Sequence, residues 1–256
     1  MVISTQTRNI NTRSIMYLQD DKGRSTEICR NGLAEEKSRE LYLEFKRIAD
    51  SNTSTKNKYV TAVISPPKEY SAHLNSWEWA LLAEDYLRRE GIGKDNQYLV
   101  YLHESTDDKH LHIIANRIDF QGKNTVKSHN IGARATQHGE ALSKHRNWKT
   151  IKEISSEKKQ NIKKAILQEK YESHSMEEFI HRMRARGYIF LINSNSKGIN
   201  GARIVPAAEF NAQASKKNSK QGFKLSEIDS KLKIKDIINE FSAHKNPIIR
   251  DRGRTF

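Results

Sequence analysis

Between Ala34 and Asp50 the chain places Leu41, Phe45 and Ile48 at helical spacing with charges between them, the pattern of an amphipathic surface helix. The polar stretch SNTSTKN ends it. KYVTAVISPP, Lys58 to Pro67, is rich in β-branched residues and stopped by two prolines, so it reads as a strand entering a turn. NSWEWALLAEDYLRREG follows with a capping residue at Asn75 or Ser76 and a stop at Gly91, which predicts a well-punctuated helix. QYLVYLH and HLHIIANRID then flank a polar loop from Glu104 to Lys109 and predict an antiparallel pair. STEICR, Ser25 to Arg30, is a candidate for one more strand.

Further along, Gly132 to Lys170 turns mostly helical and strongly basic. SMEEFIHRMRARG carries a capping box, Ser175 with Glu178, and stops at Gly187, and YIFLINSNSKGINGARIVP reads as a hairpin with an Asn, Ser and Gly turn. The last forty residues or so are basic and weakly patterned, and no fold is assigned to them. The expected class is α/β: a two-layer sandwich with a central antiparallel sheet and helices on one face, plus a basic, mostly helical C-terminal part.

Charge changes this picture. Lys and Arg number 45 against 31 Asp and Glu, a formal surplus of +14, which points to a polyanionic partner, nucleic acid ahead of an anionic membrane. A charge run alone is more often a solvated helix face. Cys29 is the only cysteine, so an internal disulfide is excluded. The N-terminus has no apolar signal core, and no run approaches the roughly 20 apolar residues that span a bilayer. A soluble cytoplasmic protein without membrane insertion is expected.

The candidate chemistry lies in YLVYLHESTDDKHLHIIANRID. Side chains alternate along a strand, so His110, His112, Ile114 and Asn116 share one face while Leu111, Ile113 and Ala115 share the other. If the two strands pair, His103 closes on the same spot. An isolated His-x-His is ordinarily a pair of hydrogen-bonded strand histidines; the third imidazole makes a metal site with open positions a serious competitor. In so basic a chain such a site suits polarising a phosphodiester as a Lewis acid.

His103, Glu104, His110, His112 and Asn116 together resemble the histidine motif of the relaxase/mobilisation nuclease family, the plasmid-transfer members of the HUH endonucleases. The resemblance runs over roughly residues 10 to 230: NTRSIMYLQDDKG resembles the nucleophile segment, KYVTAVISPP the second motif, and GINGARIVP with GFKLSEI the closing elements. It implies an HUH palm in a nuclease domain of residues 1–230, with a basic helical insertion at about 132–170 and a tail of residues 231–256. It also implies site- and strand-specific nicking and joining of DNA at a transfer origin in conjugative mobilisation. Tyr17 would attack and become a 5′-phosphotyrosyl intermediate. His103, His110 and His112 would hold magnesium or manganese, though three imidazoles suit zinc equally. An accessory DNA-binding mobilisation protein and a transfer coupling protein are implied partners.

Two departures from the family pattern concern the loop. Ser105 stands where many members have Asp, and Lys109 where they have Pro. Glu104 and Asn116, with Asp107 and Asp108, are the nearby candidates to orient a ligating imidazole from behind. Expected phosphate contacts are Lys144, Arg146, Lys149, Arg203, Lys216 and Lys217, with Arg203 or Arg117 as candidates near the scissile phosphate.

Two rival readings stand beside this one. Replication initiators and transposases of the same superfamily place the nucleophile after the histidines, which would select Tyr171 in AILQEKYES; its plain reading is packing on Leu167. A non-catalytic basic nucleic-acid-binding protein would use the histidines structurally or for zinc. Trp77, Trp79 and Trp148 are expected in the core or half-buried on helices.

Overall fold

Strand alternation and helix capping decide the layout of the computed structural model, which describes residues 1–106, 108–196, 198–212 and 221–244. The chain divides into two compact units, Met1–Ile151 and Lys152–Phe256.

In the first unit, strands β1 (Val2–Arg8), β2 (Ser25–Asn31), β3 (Tyr59–Ser65), β4 (Asn96–His103) and β5 (His110–Asp119) form one sheet. Their order is β1-β3-β5-β4-β2, and every neighbouring pair is antiparallel. Helices α1 (Thr12–Gln19), α2 (Ser38–Ala49), α3 (Lys68–Ser71), α4 (Ser76–Glu90) and α5 (Ile131–His145) complete the unit. The α/β class with a central antiparallel sheet is the expected one.

Leu111, Ile113 and Ala115 of β5 face α4 and α5, in a core with Val60, Ala62, Trp79, Leu82, Tyr86, Ala135 and Leu142. Asn75 and Glu78 close the capping box that starts α4, and Gly91 ends it in the left-handed region at φ +88. Helices also lie on the opposite face. There Ile15, Leu18, Leu41 and Phe45 of α1 and α2 pack on Tyr59, Leu99, Tyr101 and Ile114. The reason is compositional: β4 and β5 carry large apolar residues on both faces, and burying them stabilises by roughly 25 cal/mol per Å². β1 does not. Its outward Ser4, Gln6 and Arg8 leave one side of that second face open.

The second unit opens with α6 (Ile151–Glu172), whose first residue closes the first unit, and continues through α7 (Met176–Ala185), β6 (Tyr188–Asn195), β7 (Gly198–Pro206), β8 (Phe223–Lys224), α8 (Leu225–Ile228) and α9 (Ile234–His244). The three strands form a sheet in sequence order. Phe179, Met183, Phe190, Ile204, Leu225, Ile237 and Phe241 make its core. The basic stretch 132–170 is thus divided: α5 packs in the first unit and α6 belongs to the second. Lys216, Lys217 and Asp107 lie outside the described residues.

Candidate active site

The β4–β5 register sets His103 directly opposite His110 and Tyr101 opposite His112. Alternation then puts all three imidazoles on the face covered by α1. One ligand-capable nitrogen from each of His103, His110 and His112 lies within 4.8 Å of the other two. His110 Nε2 and His112 Nε2 are 3.1 Å apart, and His110 Nδ1 donates to the Asp108 carbonyl at 2.8 Å, which turns Nε2 toward the cluster. Burial, reinforced by His103 and His110 and opposed by Asp21, pushes the His112 pKa down to about 4, so its ring is neutral near pH 7.

His103 is buried and its Nε2 donates to the Leu18 carbonyl at 2.8 Å. Its Nδ1 faces the Asp21 carboxylate, 3.9 Å away. This donor set, three converging imidazoles with an acid beside one of them, fits a divalent metal ion.

Asp21 was not legible as part of the site. It follows α1 on a turn in which Lys22 (φ 52) and Gly23 (φ +76) both take the left-handed conformation, which for Gly23 is free of steric cost. Ser105 N–H donates to one Asp21 oxygen at 2.7 Å and the Ser105 hydroxyl donates to the other. Burial alone would raise the Asp21 carboxyl, but these two bonds, the His103 ring and the Glu104 N–H together hold it below its usual range.

Tyr17 tops the cluster. Helix α1 is started by a capping box between Asn11 and Ser14 and anchored by buried Ile15 and Leu18. That anchoring turns Tyr17 outward, 64 % exposed, with its ring 5.5 Å from His112 and 6.0 Å from His103 between centroids. A packed core aromatic would not be so open. The ring borders a groove of about 430 Å³ whose floor is the open sheet face, Ser4, Gln6, Thr61 and Val63, and whose rim carries Arg8 and Arg13. Both arginines are exposed and make no ion pair among the described residues. Sequence reasoning missed them; the alternation of VISTQTR was the signal.

The remaining candidates are placed elsewhere. Asn116 is buried four residues along the strand from His112, donating to the Phe45 carbonyl and accepting from Ile118 N–H. It locks α2 to the sheet and does not meet the histidines. Glu104 pairs with Lys109 at 2.6 Å. Arg117 is buried and bonded to the Val126, Lys56 and Asn57 carbonyls, and Arg203 to those of Gln221 and Gly222, so neither guanidinium is open to a phosphate. Arg146 pairs with Asp85 at 2.8 Å and lies over Trp148, while Lys144 and Lys149 are exposed. Tyr171 does not pack on Leu167: it is 89 % exposed on α6. Trp79 is buried and Trp148 stacks on Tyr70, but Trp77 is exposed, on the outer side of α4.

The family model for relaxases, MobA/VirD2-like, nuclease domain, matches residues 17–160, more than half of the chain. The chain belongs to the relaxase family. The relaxase match begins at Tyr17 and contains the three histidines. No curated protein and no solved structure matches the chain. As a relaxase nuclease domain it is a DNA endonuclease of the transesterase type, acting in mobilisation, in a family that uses a divalent metal. Among the described residues, no helix is long and apolar enough to cross a membrane.

Proposed function

We propose that this relaxase nicks and rejoins one strand of DNA at a transfer origin in conjugative mobilisation, through a covalent 5′-phosphotyrosyl intermediate on Tyr17. The observation that carries the reading is the packing of an exposed tyrosine against His112 and His103, two of three converging imidazoles, beside an open, arginine-rimmed groove. Tyrosine suits the reversible step because a phenol, with a pKa of about 10, is both a moderate nucleophile and an adequate leaving group.

In the forward step the Tyr17 oxygen forms the bond to phosphorus as its proton departs, the bond from phosphorus to the 3′ oxygen breaks, and that oxygen takes up a proton. No water is consumed, so the 3′-hydroxyl can reverse the reaction. His103, His110 and His112 would hold a divalent ion, magnesium or manganese with zinc chemically acceptable, and it would polarise the phosphate oxygens. Leu18 and Asp21 hold His103 in one orientation. Arg8 and Arg13 are assigned to the phosphates that flank the scissile one.

The catalytic chemistry is assigned to Met1–Ile151, which holds the tyrosine, the histidines and the groove. An accessory DNA-binding mobilisation protein and a transfer coupling protein are the proposed partners, in a cytoplasmic reaction on supercoiled and single-stranded DNA.

The test is incubation of the protein with manganese and a mixed-sequence single-stranded DNA library, followed by denaturation and mapping of the DNA-linked residue. An adduct on Tyr17, lost in Tyr17→Phe with DNA binding retained, is expected. An adduct on Tyr171 would select the initiator-like reading, and a folded, metal-loaded protein that forms none would select the non-catalytic one.

A further inference from the structure

The positive charge is unevenly shared between the two units. Residues 152–256 hold 22 Lys and Arg against 12 Asp and Glu, a surplus of +10, whereas residues 1–151 hold 23 against 19, a surplus of +4. The unit with the histidines is therefore not the one that draws most strongly on a polyanion.

Within the second unit, the β6/β7 hairpin presents an exposed ribbon. Ile192, Asn193, Ser194 and Asn200 all face solvent, while the hairpin's base is fixed in the core by Phe190, Ala202 and Ile204. Beside the ribbon runs a groove of about 660 Å³, lined by Asn193, Asn200 and Gly201 on one side and by Lys224, Lys233 and Lys235 on the other. These three lysines are exposed and make no ion pair among the described residues. Asp236 is the one acid in the lining.

The lining also lacks an aromatic side chain. Grooves that track single strands use aromatic faces on which bases stack, whereas this one sets lysines and asparagine amides around aliphatic Ala202, Leu225, Leu232 and Ile234. Lysines and amides without an aromatic stacking face suit a partner whose bases are already stacked and whose phosphates lie outside. A two-stranded β-ribbon fits the major groove of B-form DNA, where asparagine amides match adenine edges.

We propose that the second unit docks duplex DNA, with the β6/β7 ribbon in the major groove and Lys224, Lys233 and Lys235 on the backbone phosphates alongside. This goes beyond the nicking chemistry and does not depend on Tyr17: the first unit handles the strand to be cut, and the second grips paired DNA.

The test uses the full chain in EDTA, so that nothing is cut, and measures fluorescence anisotropy with a blunt mixed-sequence duplex and with an oligo-dT strand of the same length. Lys224→Glu, Lys233→Glu and Lys235→Glu combined should weaken duplex binding by about tenfold or more and make the plot of log K against log salt shallower by about 3, near one phosphate per lysine. Oligo-dT, seated in the first unit's groove, whose lining holds none of these lysines, should lose less than about twofold in affinity. Unchanged duplex affinity and slope would overturn the proposal. An equal loss on both substrates would also overturn it, in favour of a single-strand track. If the charge reversals lower the melting temperature, the Lys→Gln triple variant carries the same slope test.

Discussion

Ser105 and Asp21, 84 residues apart in the chain, are joined by two hydrogen bonds, from the Ser105 N–H at 2.7 Å and from its hydroxyl, onto the two oxygens of one carboxylate. The histidine loop thus carries a serine where the family pattern has an acid, and the acid arrives from the turn after α1. It stands 3.9 Å from His103 Nδ1.

Asp21→Asn should weaken manganese binding by about 10–100-fold, the usual cost of removing a group that orients a ligating histidine. Ser105→Ala should act in the same direction and less strongly, since the backbone N–H still holds the carboxylate. Calorimetric titration of the apo protein measures both. Equal manganese affinity in Asp21→Asn would remove Asp21 from the site.

The histidines should separate by stability. His103 is buried against the Leu18 carbonyl, so His103→Ala leaves that acceptor unpaired and should cost about 1–3 kcal/mol in chemical denaturation of the apo protein. His110 is only partly buried, and His110→Ala should cost under about 1 kcal/mol while still abolishing metal-dependent nicking. If the two variants unfold at the same denaturant concentration, the role assigned to Leu18 is wrong.

Arg8 and Arg13 should contact phosphates of the strand in the groove. Arg8→Ala and Arg13→Ala should each weaken single-strand binding in EDTA and reduce the salt slope by about 1. Nicking should then recover at lower salt. A slope identical to wild type in the double variant would place the strand elsewhere.

Acid should destabilise the apo protein in two steps. His112 has its folded pKa lowered to about 4 from an ordinary 6.5, so the unfolded chain binds the extra proton and stability falls as pH drops between those values, by at most about 3 kcal/mol. Asp21, also lowered, contributes stability that is present above its ordinary 3.8 and is lost as pH falls through its folded value. Urea denaturation across this range should show His112→Gln flattening the first step and Asp21→Asn the second. A wild-type curve flat from pH 6.5 to 4 would contradict the burial of His112.

Much of the scaffold was written locally. KYVTAVISPP, QYLVYLH and HLHIIANRID became β3, β4 and β5, and the capped NSWEWALLAEDYLRREG became α4, because periodicity and caps act over a few residues. β1 went unread although Ile3 and Thr5 alternate with Ser4, Gln6 and Arg8: a short strand whose exposed face is polar looks like any polar leader. The strand period likewise put His110 and His112 on one face without any knowledge of the fold.

The sequence by itself determined the three imidazoles, the basic surplus and the antiparallel pairing that brings His103 to His110. Only the tertiary structure decided which groups surround them. Asp21 reaches His103, Tyr17 lies over His112, and Arg8 lines the same groove because α1 docks through Ile15 and Leu18 on a sheet whose edge strand is the N-terminus. Packing within each unit likewise withdrew Asn116 and Arg117 in the first, and Arg203 in the second, into hydrogen bonds with backbone carbonyls. Side-chain type and spacing are local properties, whereas burial and partnership arise from contacts tens of residues apart, which no short window of sequence contains.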